Sequence, residues 1–327
     1  MAQVQEMRDR GELSEELPKR SKVGQQLTAA RMLLRNLGGL KKLVVMNPGE
    51  LRYVRPPREY ELPEYRTGMK HCTSNENYLR PTWWCNPRDP LIVAMAHELG
   101  AYELSDREFA EAAFWFVKTK LAAEMRPLDS ASAVLKRGTG MCYGLTSLWL
   151  ALCRAAGIKG RYQIFTMHLP DEATSLLPSA SEQGAMTIAL FNRGTPEAQG
   201  EVYVDGTWTV GHVAMRPEML ARLNLPIPRF GEDAARLVFK VVPGTIKRFE
   251  SISLRLGVPM NIGIRLIPAA MERATIAAQM RAMPPGRKII DEAGGIEAYD
   301  QKARARFKHT ALSVSLEPHP SIVFEEP

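Results

Sequence analysis

The stretch GTGMCYGLTSLWLALCRAAGIKGRYQ, residues 138–163, constrains the fold more than any other part of the chain. Apolar residues recur at helical spacing after Cys142, and Gly157 ends that run. An extended segment, Arg161 to Met167, follows directly. The pattern predicts a core helix whose first residue is a cysteine and which leads into a strand.

A thiol at the start of a helix is better placed for chemistry than for packing. The unpaired N–H groups and the positive end of the helix dipole stabilise a thiolate, so we expect a lowered pKa for Cys142. The same N–H groups can hold an oxyanion, and Gly138, Gly140 and Gly144 allow a substrate close to the backbone. Packing as a small hydrophobe is the better interpretation for Cys153, in the middle of the helix.

The remaining cysteines, Cys72 and Cys85, form no metal-ligand spacing with the other two. Eleven helical residues separate Cys142 from Cys153 by roughly 16 Å, which is too far for a disulfide. The N-terminus has no signal-peptide core, and no apolar run is long enough to span a membrane. We therefore expect a cytoplasmic protein with reduced thiols and no membrane partner.

Three zones divide the 327 residues. Residues 1–70 are predicted to be a basic arm with one helix near Gly24 to Leu40, and residues 71–215 to be the core. Residues 216–327 are predicted to be a mixed helical extension packed on that core. Within the extension, Ile267 to Met283 is predicted to be an amphipathic helix that stops at Pro284-Pro285.

Local signals place the elements of the core. Asp89-Pro90 and the capping box from Ser105 to Glu108 each predict a helix start. Residues 201–210 form a predicted hairpin with Asp205-Gly206 as its turn. The segment Leu169 to Gly200 is interpreted as a long loop with one short strand, Met186 to Phe191.

The formal net charge is +7, and its distribution is uneven. Residues 1–70 and 214–327 each carry a net +5, whereas residues 71–213 carry −3. Acidic residues are interspersed with the basic ones and there is no recognition motif, which argues against a nucleic-acid partner. A solvated surface of mixed charge is the preferred interpretation, and a basic face that docks an acidic carrier protein is the alternative.

The run from Tyr78 to Trp208 resembles a transglutaminase-like domain of the papain-like thiol superfamily. The matching pieces are YLRPT with NPRDP and two helices, then the Gly-rich turn with Cys142 and AGIKGRY, then EVYVDGTW. The resemblance implies an α+β core with the Cys helix packed on an antiparallel sheet. It also implies acyl transfer through a thioester by a Cys, His, Asp triad, without a metal or organic cofactor.

The chain departs from that triad. The usual His slot, before the hairpin's first strand, falls at or beside Glu197, and the usual Asp slot falls at His212. Residues whose numbers sum to 411 face each other across the hairpin, so His212 faces Gln199 on the sheet face that carries Glu197 and Glu201. The imidazole would then point at Cys142, oriented by one of these three side chains.

Two alternatives to His212 as the base stay open: His168, which ends the strand after the Cys helix, or no catalytic histidine at all. Gly140, Tyr143, Trp83 and Gln199, together with His168, are the candidate substrate-binding residues.

The sequence thus predicts a thiol enzyme that joins a small-molecule or carrier-bound acyl donor to an amine, in small-molecule biosynthesis. A catalytically inactive binding or scaffold protein, and a cysteine amidase or peptidase, are the alternatives.

Overall fold

The computed structural model of the chain describes residues 57–124, 126–168, 195–242, 244–254, 257–258, 261–262 and 269–307. The helix predicted near Gly24 to Leu40, most of the basic arm and the short strand Met186 to Phe191 lie outside these ranges. Within them the chain has an α+β fold in which the helix that begins at Cys142 packs on an antiparallel sheet, as the sequence predicts.

The elements follow one another along the chain. The helices are α1 (Pro90–Glu98), α2 (Asp106–Lys120), α3 (Ala131–Arg137), α4 (Cys142–Ala155), α5 (Pro217–Arg222), α6 (Ala234–Leu237), α7 (Ala269–Ala293) and α8 (Ile296–Arg306). The strands are β1 (Ala122–Ala123), β2 (Thr139–Gly140), β3 (Gly160–His168), β4 (Thr195–Val204), β5 (Thr207–Gly211), β6 (Lys240–Val241) and β7 (Lys247–Phe249).

The helix boundaries of the core follow the local signals. The Asp89 side chain accepts from the N–H of Leu91 at 3.0 Å, and Ser105 with Glu108 forms a reciprocal capping box. Gly157 adopts φ +90° just after α4, a conformation that glycine takes without steric cost. The predicted caps are therefore confirmed.

The main sheet has the order β5-β4-β3-β6, with β7 also paired to β3, and the strand pairs are antiparallel. Asp205 and Gly206 both have positive φ, +50° and +75°, as a two-residue hairpin turn requires. Tyr203 lies opposite Trp208. The hairpin and its register are therefore confirmed, although β4 begins at Thr195 and is longer than expected.

Helix α4 rests on the sheet through one large side chain. Trp149 is fully buried and lies against Gly200 and Gly211, which are paired across β4 and β5. A Cβ added at either glycine would come within 2.7 Å of the Trp149 ring. The two glycines thus let the Cys helix approach the sheet closely and fix its height above the strands.

The opposite face of the sheet is covered by the C-terminal segment. Phe165 and Met167, on β3, pack in a second apolar cluster with Leu220, Leu225 and Phe239. Strands β6 and β7 come from the same segment and pair with β3. The region predicted to be an extension therefore contributes both strands and packing to the main sheet.

Residues 57–70 also contact both parts of the molecule. The Tyr60 hydroxyl donates to the carbonyl of Leu135 at 2.6 Å, and Glu59 accepts from Arg216 Nη1 at 2.9 Å. The end of the predicted arm therefore lies on the core at α3 and reaches the chain just before α5.

Two sequence expectations are wrong in their boundaries. Helix α7 continues through Pro284-Pro285 to Ala293. Its second half is held by tertiary contacts that offset the lost backbone hydrogen bonds, since Ile290 is buried and Arg287 pairs with Glu218 at 2.9 Å. The predicted end of the loop at Gly200 is also wrong, because β4 already begins at Thr195.

Candidate functional site

Cys142 is the first residue of α4, and short local structure holds it there. Thr139 and Gly140 form β2, which pairs in parallel with β1 and so fixes the chain just before the helix. Gly138, at φ +80°, ends α3 and turns the chain into β2. Met141 is the N-cap and makes no side-chain cap, so the first-turn N–H groups are left to other acceptors. Cys142 itself is partly accessible to solvent.

Glu197 and His212 meet on the sheet as the hairpin register predicts. Gly200 pairs with Gly211, and His212 is the residue directly after β5. Its Nε2 lies 3.4 Å from Oε1 of Glu197, on β4. Because the acceptor is a carboxylate, a neutral imidazole carries its proton on Nε2 and donates it to Glu197.

The group beside the Cys142 thiol is the Glu197 carboxylate. Glu197 acts on the thiol through its charge and as a hydrogen-bond acceptor, and the N–H groups of Ala198 and Tyr143 act on the sulfur as donors. The Ala198 N–H also donates to Oε1 of Glu197 at 3.2 Å. Burial, followed by the charge of Glu197, holds the pKa of the Cys142 thiol well above its ordinary value of 9.0, although those N–H groups oppose the rise. The expectation of a lowered pKa is therefore wrong, because it rested on the helix dipole and the N–H groups, whose effect burial and the charge of Glu197 exceed.

His212 is almost completely enclosed, with 1% exposure. Its ring packs against Phe239 with the ring centres 5.1 Å apart. Burial lowers the pKa of His212 from its ordinary 6.5, Glu197 opposes that shift and the charge of Lys118 adds to it. The imidazole is therefore neutral at physiological pH and acts as a hydrogen-bond donor to the carboxylate.

The other two side chains proposed to orient His212 have different partners. The Gln199 amide is fully buried and donates to Oε1 of Gln163 and Oδ1 of Asp233, both at 2.6 Å. Glu201 accepts from Nε of Arg161 at 2.5 Å and from Arg248 at 3.0 Å. The carboxylate in contact with His212 is that of Glu197, so the structure brings together Cys142, Glu197 and His212.

The remaining sequence candidates occupy varied positions. Gly140 is buried in β2, where a Cβ would lie 3.1 Å from Val134. Tyr143 is buried in the first turn of α4, and burial together with the charges of Cys142 and Glu197 raises the pKa of its hydroxyl. Trp83 is 70% exposed and makes an edge contact with Trp84. His168 ends β3, where its main chain lies in register with Lys240.

Two residues of the site were missed in the sequence. Lys118, on α2, is completely buried and its Nζ donates to the carbonyl of His212 at 2.8 Å. Asp233, the N-cap of α6, accepts from Gln199 and acts electrostatically on His212. The spacing of Lys118, four residues after Phe114 on the apolar side of α2, could have indicated that its side chain is buried. Nothing in the sequence near Asp233 indicated that it acts on His212.

Within the part of the chain that the structure describes, no three His, Cys, Asp or Glu side chains are grouped so as to hold a metal ion. None of the helices in those ranges is both long and apolar enough to cross a bilayer.

Comparison with known proteins identifies the family of this domain. No curated protein shows significant similarity to the chain. One similar solved structure is that of a candidate cysteine protease from Cytophaga hutchinsonii, with 19% identity and a TM-score of 0.32. That match covers 57% of this chain and 56% of the other, so it spans little more than half of either protein. The family model of the transglutaminase-like superfamily matches residues 93–211, which include Cys142, Glu197 and the whole of the β4–β5 hairpin. Residues 93–211 of this chain are a domain of the transglutaminase-like superfamily.

Proposed function

We propose that this protein is a thiol acyltransferase that forms a thioester on Cys142 and passes the acyl group to an amine. The observation that carries the proposal is the contact of the Cys142 thiol with the Glu197 carboxylate at the start of α4, with His212 on the same carboxylate. A nucleophile, a proton acceptor and a third group that orients the acceptor are the parts that covalent acyl transfer requires.

In the resting site the thiol keeps its proton, since its pKa is raised. Glu197 takes that proton as the sulfur attacks the acyl carbon, so that charge does not accumulate on a free thiolate. The neutral imidazole of His212 donates to the carboxylate and holds it toward the sulfur. Glu197 thus has the base role that the sequence assigned to His212, and His212 acts through it.

The reaction balances in two steps. The sulfur bonds to the acyl carbon, the bond to the leaving group breaks, and the proton taken by Glu197 passes to the leaving group. An amine then attacks the thioester, the carbon–sulfur bond breaks, and a proton from the amine returns through Glu197 to the Cys142 sulfur. Each tetrahedral intermediate carries an oxyanion, which the first-turn N–H groups of α4 can stabilise because no side chain caps them.

The proposed acyl donor is a small molecule or an acyl group on a carrier, and the acceptor is a small amine, in a biosynthetic pathway. This substrate class rests on the family resemblance.

The test is acylation of the protein by p-nitrophenyl acetate, followed by intact mass and peptide mapping. We expect one acetyl group on Cys142, and its release as an amide when a small primary amine such as cadaverine is added. Cys142→Ala should abolish the label, whereas Cys72→Ala, which removes another partly accessible thiol, should keep it. Acetyl release only as acetate, at a rate independent of amine, would instead indicate a hydrolase.

A second function is favoured by one observation, the raised pKa of the Cys142 thiol. A thiol that stays protonated is compatible with a binding or scaffold protein that keeps the fold without the chemistry. Absence of the acetyl label on Cys142 in wild-type protein, at any pH up to 9, would support that second function and overturn the first.

A further inference from the structure

Lys118 is a lysine whose amine lies inside the protein beside the candidate site. It is on the inner side of α2 with no exposure to solvent. Its Nζ donates to the carbonyl oxygen of His212 at 2.8 Å and lies 5.5 Å from the ring centre of Phe114. Burying an ammonium group costs far more free energy than burying a methionine of similar size. Packing alone therefore does not explain a lysine at this position.

The carbonyl that Lys118 binds belongs to the residue where β5 has ended. Gly211 is the last residue of that strand, so the carbonyl of His212 lies beyond the sheet's regular hydrogen bonds. A buried carbonyl needs a donor, and the Lys118 amine supplies it. Because the main chain of His212 is held from one side by Lys118, the imidazole is directed to the other side, toward Glu197 and Phe239.

Charges from the C-terminal segment surround the amine as well. Glu232 and Asp300 favour its protonated form, whereas burial, the largest effect, lowers the pKa of Lys118 to about 7. His212 and Lys118 disfavour each other's protonated forms, while Glu197 and Asp233 favour that of His212. The amine therefore also helps to keep the imidazole neutral, the form that donates from Nε2 to Glu197.

We propose that Lys118 is a positioning residue of this site, whose amine fixes the main chain at His212 and so aims the imidazole at the Glu197 carboxylate. This inference rests on the proposed function for its consequence on rate. The contact between Lys118 and His212 can be tested without any activity.

The direct test is NMR of wild-type protein and of Lys118→Met, in which histidine is labelled with ¹³C and ¹⁵N and His212 is assigned with His212→Gln. In the wild type, we expect the chemical shift of the His212 carbonyl carbon to change with pH as Lys118 loses its proton. In Lys118→Met we expect this pH-dependent change to vanish, and the imidazole of His212 to become protonated at a higher pH than in the wild type. Lys120→Met, which changes an exposed lysine on the same helix, should match the wild type in both respects.

The second readout is the rate of Cys142 acetylation by p-nitrophenyl acetate, which we expect to fall about tenfold or more in Lys118→Met, with recovery in Lys118→Arg. An unchanged imidazole titration in Lys118→Met would overturn the proposal. If that variant does not fold, the absence of any pH-dependent change in the wild-type His212 carbonyl shift between pH 6 and 11 would overturn it as well. Failure of acetylation in the wild type itself would count against the proposed function and leave the NMR result to decide the role of Lys118.

Discussion

At the scale of single residues, this site differs from the usual pattern of the superfamily in the group that acts on the Cys142 sulfur. A histidine partner can take the thiol proton and then stabilise a thiolate as an imidazolium ion. Glu197 can take the proton but, once ionised, repels the thiolate, and the raised pKa of Cys142 is the result. Because an acidic residue stands at the usual histidine position and a histidine at the usual acid position, the resting site holds a protonated thiol beside a carboxylate instead of a thiolate–imidazolium ion pair.

This difference predicts opposite effects of one substitution on two measurements. Glu197→Gln removes the negative charge beside the sulfur, so the pKa of Cys142 should fall and its alkylation by iodoacetamide at pH 7 should become at least about threefold faster. The same variant lacks the proposed proton acceptor, so enzymatic acyl transfer should fall about a hundredfold. Alkylation is followed at Cys142 by peptide mass spectrometry as a function of pH.

The matched control is Glu201→Gln, which lies four residues along the same strand and pairs with Arg161 and Arg248. It should leave the alkylation rate of Cys142 near the wild-type value. Equal or slower alkylation of Cys142 in Glu197→Gln would show that the carboxylate does not control the thiol.

At the scale of elements, the site depends on how α4 is seated on the sheet. Trp149 lies two turns along α4 from Cys142 and occupies the space left by Gly200 and Gly211. Thr146 also donates to the carbonyl of Ala198 at 3.2 Å, next to Glu197. The distance between the thiol and the carboxylate is therefore set by contacts along the length of the helix.

A methyl group in that space should disturb both stability and the site. Gly200→Ala would place its Cβ against the Trp149 ring, and we expect a loss of about 1–3 kcal/mol in the free energy of unfolding. Because the first turn of α4 would lift with the ring, acetylation of Cys142 should also slow. Urea unfolding and the acetylation assay measure the two effects, with Thr207→Ala, at an exposed position of the same hairpin, as the control. Wild-type stability in Gly200→Ala would show that the helix is not seated through this contact.

Elements defined by local sequence were predictable, and those defined by distant contacts were not. The caps at Asp89 and Ser105 and the turn at Asp205-Gly206 depend on neighbouring residues, so the hairpin register, and with it the meeting of Glu197 and His212, followed from the sequence. The continuation of α7 past Pro284 depends on contacts with α5, far away in sequence. The pKa of Cys142 was predicted with the wrong sign because the helix dipole was considered without burial or the approach of Glu197.

At the scale of the whole molecule, the C-terminal segment is part of the site's environment. Phe239 packs on the His212 ring, and Asp233, which acts electrostatically on His212, accepts a hydrogen bond from Gln199. Asp300, on α8, accepts from the N–H of Ile227 at 2.8 Å and from Arg229 at 3.0 Å, which ties α8 to the loop that leads to Asp233. The surroundings of His212 are therefore assembled from residues about a hundred positions apart along the chain.

The uneven charge of the chain gives a prediction about partners. If the two segments of net +5 dock an acidic carrier protein, the association should weaken as salt rises, because exposed charges are screened beyond roughly 8 Å at physiological ionic strength. Binding of a purified acyl carrier protein, measured by surface plasmon resonance from 50 to 500 mM NaCl, should lose affinity by about tenfold or more. Binding that does not change with salt would exclude the electrostatic part of this proposal.

The buried Lys118 predicts how the stability of the whole molecule depends on pH. In the unfolded chain a lysine keeps its ordinary pKa of 10.5, whereas burial lowers that of Lys118 to about 7 in the folded state. Between these values the unfolded state binds more protons, so the free energy of unfolding should rise with pH. From pH 7 to pH 8 the gain should be about 1 kcal/mol, because one proton bound only by the unfolded state contributes about 1.36 kcal/mol for each step of one in pH, and the folded Lys118 still keeps part of its proton near pH 7.

Other groups contribute little in this window. The pKa of His212 is lowered from 6.5. The raised pKa values of the Cys85, Cys142 and Cys153 thiols lower the free energy of unfolding only as the pH approaches 9.0, where the thiols of the unfolded chain ionise. Urea unfolding at pH 7, 7.5 and 8 should show the rise in the wild type and in Lys120→Met, and a nearly flat profile in Lys118→Met. A rise of the same size in Lys118→Met would mean that another group titrates and that the Lys118 amine is already neutral at pH 7.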